Sequence, residues 1–88
     1  MKRIKTHTFN GKEHDIDLEM TLGYCDSPRG GRPTLYVPLD TYGEFKTLRI
    51  LIHEAMHACN WDKHENTVDV CSRDITRFLW RLGYRKVD

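Results

Sequence analysis

Eighty-eight residues, 39% apolar and 31% charged, make one small, lean domain over residues 1–88, close to the size at which a single core barely suffices. A net charge of +1 argues against a dedicated nucleic-acid or membrane-surface protein, whose basic bias would be strong. Three cysteines (Cys25, Cys59 and Cys71) with no C-x-x-C pair argue against a disulfide framework and for a reducing cytoplasm. The basic start, Met1-Lys-Arg-Ile-Lys5, leads into polar residues rather than the apolar core of a signal peptide. Nor does any apolar run approach the roughly 20 residues of a membrane span.

The N-terminal half reads as strands and turns. Arg3–Phe9 alternates in part, Asn10-Gly11 is a hairpin turn signal, and His14–Leu18 is the return strand. Met20–Cys25 is a short third strand, and Ser27–Pro33, with its Gly and Pro, is a loop. Thr34–Leu39 is a fourth strand, which Pro38 confines to a sheet edge or to the strand's own end.

Two helices follow. Thr41-Tyr-Gly-Glu44 fits a capping box, and Phe45, Leu48, Ile52, Ala55, Met56 and Cys59 then recur at helical spacing as a buried stripe. Asp62-Lys-His-Glu65 fits a second capping box, followed by a stripe of Val68, Cys71, Ile75, Phe78, Leu79 and Leu82. Gly83 is a natural stop just past the second helix. The expected fold class is α+β: a short N-terminal antiparallel or mixed sheet packed on two C-terminal helices.

At the centre of the first helix stands Ile50-Leu-Ile-His-Glu-Ala-Met-His-Ala-Cys-Asn60. His53 and His57 are one turn apart and share a face, so their imidazoles can converge on one ion as a tetrahedral zinc site requires. Glu54 sits about 100° around the helix, poorly placed as a third ligand but well placed to hold a water as general base. With five histidines and five glutamates, H-E-x-x-H arises by chance about once or twice in a hundred such chains. The context argues against chance. No other charged side chain lies between Ile50 and Asn60, and burying Glu54 and two histidines without a partner would cost several kcal/mol.

On these residues the chain resembles the zincin metallopeptidases, in particular the very small gluzincin-like form encoded by bacteriophages. The resemblance is specific over Ile50–Cys59, extends more loosely to the next helix, and covers under half of the chain. It implies bound Zn2+, hydrolysis of peptide bonds in a peptide or protein substrate, and a third ligand from the following helix. Glu65-Asn-Thr-Val68 has the shape of the family's Glu-x-x-Ala, which makes Glu65 the third ligand beside His53 and His57, with Glu54 catalytic. Glu65 could instead only cap its helix, and His64 and Asp69 are the rival ligands. Zinc on these three residues keeps an open position for water, the mark of a catalytic site. Tyr42, Tyr84 and His64 are the candidate oxyanion stabilisers, and the edge strand Thr34–Val37 is the candidate peptide-binding strand. The expected location is the cytoplasm, that of a host cell if the protein is phage-encoded.

Other signals are weaker. Cys59 and Cys71 read as core residues, and Trp61 and Trp80 as packing residues. His7 and His14 read as surface residues of the hairpin. Arg29-Gly-Gly-Arg32 lacks the Lys-Ser/Thr of a phosphate-binding loop, and the basic stretches Lys2–Lys5 and Arg81–Lys86 read as solvated faces. Two alternatives to the peptidase stay open: a non-catalytic zinc-stabilised interaction module, and a small nucleic-acid-binding protein using the terminal basic stretches. The sequence leaves the oligomeric state open.

Overall fold

The computed structural model of the protein describes residues 3–27 and 31–87, so Lys2, Arg29 and Gly30 lie outside the described residues. The chain opens with a hairpin of β1 (Thr6–Phe9) and β2 (Lys12–Asp17), paired so that Phe9 faces Lys12 and His7 faces His14. Its turn needs two consecutive residues in the left-handed region, and Asn10 (φ 48°) and Gly11 (φ 79°) supply them. The third strand, β3, shrinks to Tyr24–Cys25, and β4 covers Thr34–Tyr36, ending before Pro38 as the missing proline donor requires.

The sheet order is β1-β2-β4-β3, with β4 parallel to β2 and antiparallel to β3. Beyond β4 the chain keeps running alongside β2, with the Val37 N–H donating to the Asp17 carbonyl at 2.8 Å. Thr34–Val37 is therefore an interior segment and not the expected edge strand. The edge on that side is β3.

One face of this sheet carries the core. Cys25, Leu35 and Val37 are buried, with Phe9, Ile16 and Leu18 packed against them from the sheet, and Ile50, Leu51, Ala58 and Trp61 from the helical half. His14 joins this interior rather than the surface, at 1% exposure. Its Nδ1 lies 2.9 Å from the Lys12 carbonyl, and Phe9 meets its ring edge-to-face. Its alternation with Ile16 on the inward face of β2 decided its place.

Helix α1 (Glu44–Cys59) and helix α2 (Glu65–Arg81) are antiparallel neighbours, with His53 beside Glu65 near one end and Phe45 meeting Trp80 edge-to-face near the other. Neither expected capping box forms. The N-cap of α1 is Gly43, without a side-chain bond, and Thr47 instead donates its hydroxyl to the Tyr42 carbonyl. The N-cap of α2 is His64, whose Nδ1 accepts the Asn66 N–H at 3.1 Å. The C-terminus of α2 ends as expected. Gly83 (φ 95°) turns the chain so that its N–H reaches the Trp80 carbonyl and the Tyr84 N–H the Leu79 carbonyl.

The buried helix faces also differ from the expected stripes. On α1 the fully buried residue is Thr47, and Phe45 and Cys59 are exposed. On α2 the buried residues are Val68, Ser72 and Thr76, one turn apart, while Ile75, Phe78 and Leu82 face solvent. Ser72 and Thr76 tolerate burial because their hydroxyls donate within the helix, to the Asp69 and Ser72 carbonyls. Small residues on this face let the helices approach closely. Among the described residues, no helix is long and apolar enough to cross a membrane.

Candidate metal centre

Helical spacing brings His53 and His57 onto one face of α1, with ring centroids 5.0 Å apart. The turn after α1 then delivers Glu65 as the first residue of α2. One Glu65 oxygen lies 2.9 Å from His53 Nε2, and the other lies 2.7 Å from His57 Nε2. One ligand atom from each of the three side chains fits within a sphere of contacts no wider than 4.8 Å. Two imidazoles and a carboxylate form a nitrogen–oxygen donor set of the kind zinc takes when a further position stays open.

The rivals for the third position go elsewhere. His64 is occupied at the helix cap. Asp69 approaches the far side of His53, with Oδ1 at 3.9 Å from Nδ1, and pairs with Arg73 at 2.8 Å. Ser72, which the sequence reading passed over, stands at the same ring edge, its Oγ 3.4 Å from His53 Nδ1. Ser72 already donates its proton to the Asp69 carbonyl, so its lone pairs are free to accept a proton from Nδ1. That contact favours the His53 tautomer whose Nε2 lone pair points toward Glu65, as metal ligation requires. The signal available in the sequence was its position: Ser72 is one helical turn past Val68 and seven residues past Glu65.

Glu54 faces a different neighbour, the sheet edge. An added Cβ on Gly23 would sit 2.5 Å from Ile50 Cγ2 and 3.1 Å from Glu54 Oε2, so α1 and the start of β3 touch where only glycine fits. Burial pushes the Glu54 carboxyl above its ordinary range; His53 and His57 pull it down, and Glu65 adds to the rise. A carboxylate made more basic in this way is a better proton acceptor near neutral pH.

These residues border a cleft of about 250 Å³. Gly23, Tyr24 and Cys25 form one wall and His53, Glu54 and His57 the other, with Trp61 and Glu65 also lining it. The Trp61 ring stands 6.4 Å from that of His57. Burial, together with the Glu54 and Asp26 charges, pushes the Cys25 thiol up to about 11. None of the three expected oxyanion stabilisers, Tyr42, Tyr84 and His64, belongs to this lining. Tyr42 and Tyr84 border a separate groove, and the Tyr42 hydroxyl donates to the Thr21 carbonyl. No protein-family model, curated protein or solved structure matches the chain.

Proposed function

We propose that the chain is a zinc-dependent metallopeptidase, the activity that its zincin-like motif implies. One observation carries this reading: two imidazole Nε2 atoms and both oxygens of a carboxylate converge beside a half-buried, unliganded glutamate. The donor set of His53, His57 and Glu65 fits zinc, which when bound supplies a Lewis acid for the scissile carbonyl and lowers the pKa of water. The chain's own residues do the rest. Ser72 and Asp69 hold the His53 ring from behind, and Gly23 lets the sheet edge sit against Glu54. Glu54 takes a proton from the attacking water and passes it to the leaving amine nitrogen as the C–N bond breaks. An extended peptide lies along the open edge of β3, its main chain adding as a further strand beside the cleft.

A zinc-stabilised interaction module is the second reading. It is favoured by the lining of the cleft, where Tyr24 is the hydroxyl-bearing side chain and Tyr42, Tyr84 and His64 do not appear. Part of the basic surface that a nucleic-acid reading would use is engaged by carboxylates: Arg3 and Lys86 both reach Asp40, and Arg32 is held by Glu13 and Asp15. The deciding experiment incubates the chain with a peptide library after chelation and after zinc is restored. Cleavage that disappears with chelation and returns with zinc supports the peptidase. Stoichiometric zinc with no cleavage in either state supports the module.

A further inference from the structure

Helix α2 carries a second feature, on the flank away from the metal centre. With Val68, Ser72 and Thr76 turned into the protein, Cys71, Ile75, Phe78 and Leu82 follow one another at spacings of four, three and four along an adjoining face. That spacing is the a/d seam of a helix pair. Among the described residues, it is left open to solvent: Ile75 is 40% exposed, Phe78 62% and Leu82 60%. At about 100° per residue, Asp74 and Arg81 both border the Phe78 side of the seam, and Glu65 and Asp69 lie on the opposite flank of the helix. Among the described residues, neither Asp74 nor Arg81 has an ion-pair partner, although the neighbouring Asp69 and Arg73 pair with each other.

We propose that this stripe is a self-association surface, on which two copies of the chain pair their α2 helices antiparallel. In that arrangement Ile75 of each copy packs on Phe78 of the other, and Cys71 on Leu82. The residues flanking an antiparallel seam then meet their own kind of position, which sets Asp74 of each copy against Arg81 of the other, twice by symmetry. A parallel pair would place Asp74 opposite Leu79 and leave both charges unmatched, so charge complementarity selects the antiparallel form. The seam runs for three turns, about 17 Å, and is small enough that dimerisation belongs in the upper micromolar range. The metal cleft stays open in the dimer, and the proposal does not depend on the peptidase reading.

Sedimentation equilibrium on the full chain between about 10 μM and about 1 mM tests it. A monomer–dimer equilibrium is expected. Phe78→Asp should abolish the dimer while leaving the far-UV spectrum and melting curve of the dilute protein unchanged, because Phe78 is exposed within the single chain. Asp74→Arg and Arg81→Asp should each weaken dimerisation about tenfold, since each turns two attractions into two repulsions. Combining the two reversals should restore it to within about twofold of wild type. A chain that stays monomeric throughout the range overturns the proposal and leaves the stripe to a different protein. A dimer that survives Phe78→Asp, or a double reversal no tighter than either single one, also overturns it.

Discussion

Two concavities flank α1, and they differ in kind. The cleft at its C-terminal half is the smaller, about 250 Å³, and gathers two histidines, two glutamates and a cysteine against the edge strand. The groove at its N-terminal half is about 550 Å³ and lined by Leu39, Leu48, Leu51, Leu79 and Trp80, with Tyr42 and Tyr84 beside them. At its rim Lys86 pairs with Asp40, and the Arg85 guanidinium donates to the Trp80 and Tyr84 carbonyls. Volume therefore points one way and chemistry the other. Convergent, environment-perturbed groups are the better guide to a site, because holding them together costs stability that a purely structural feature would not incur.

The comparison breaks most sharply at Glu54. Glu54→Gln is nearly isosteric but cannot accept a proton, so peptide cleavage should fall by about 10²–10⁴-fold with zinc still bound at wild-type stoichiometry. His53→Ala should instead release the metal. Peptide-library turnover measured beside zinc content separates the two effects, and a Glu54→Gln variant as active as wild type would remove the small cleft's claim to chemistry.

Cys25 reads out the environment of the same cleft. Its thiol is pushed up to about 11 from an ordinary value of 9.0. In metal-free protein at pH 8, alkylation of Cys25 should run about a hundredfold slower than in the urea-unfolded chain, since the thiolate is the reacting form. The sign for stability follows. The folded state favours the neutral thiol, so this contribution is intact below pH 9 and is lost as pH climbs through 9 toward 11. Equal alkylation rates in the two states would show that the wall is open to water.

The His53, His57 and Glu65 cluster was legible because its spacing is short and its geometry local. His53 and His57 are tied by one helical turn, and Glu65 follows after a turn too short to carry it elsewhere. Asn10-Gly11 likewise announced its own hairpin. What the sequence did not disclose depends on neighbours. Periodicity marked an apolar stripe on each helix, but α2 buries Val68, Ser72 and Thr76 because small residues with self-satisfied hydroxyls let α1 approach. The order of the sheet was hidden too, since a parallel β2–β4 pair is built from strands distant in sequence. With β4 interior, the sheet edge on that side passed to β3, whose two residues carry almost no periodic signal. Tyr42 and Tyr84 were placed by the same long-range packing, and it took them to the other groove.

Glu65→Gln gives a smaller effect on the same side of α1. Because His64 caps α2, the Glu65 carboxylate is free for the imidazoles, and replacing it with a neutral amide should weaken zinc binding at least about tenfold in a competition titration. Fold stability should drop by only about 0.3–1 kcal/mol, the loss of a negative charge in the first turn of a helix. Wild-type zinc affinity in this variant, combined with a loss in Asp69→Asn, would move the third ligand to Asp69.

The smallest effect belongs to the larger groove. If the groove takes no part in hydrolysis, Tyr42→Phe and Tyr84→Phe should leave turnover within about twofold of wild type, because neither hydroxyl reaches the cleft that holds Glu54. Tyr42→Phe removes a donor to the Thr21 carbonyl at 3.0 Å, an exposed bond whose loss should cost about 0.5–1.5 kcal/mol of stability. Tyr24→Phe supplies the contrast, since Tyr24 is the one residue lining the cleft that carries a hydroxyl. A fall in kcat for Tyr24→Phe, with both groove variants unaffected, would assign the chemistry to the small cleft alone. A comparable fall in Tyr84→Phe would mean that the C-terminal segment after α2 swings toward the metal centre during turnover, and the division between the two concavities would not survive that result.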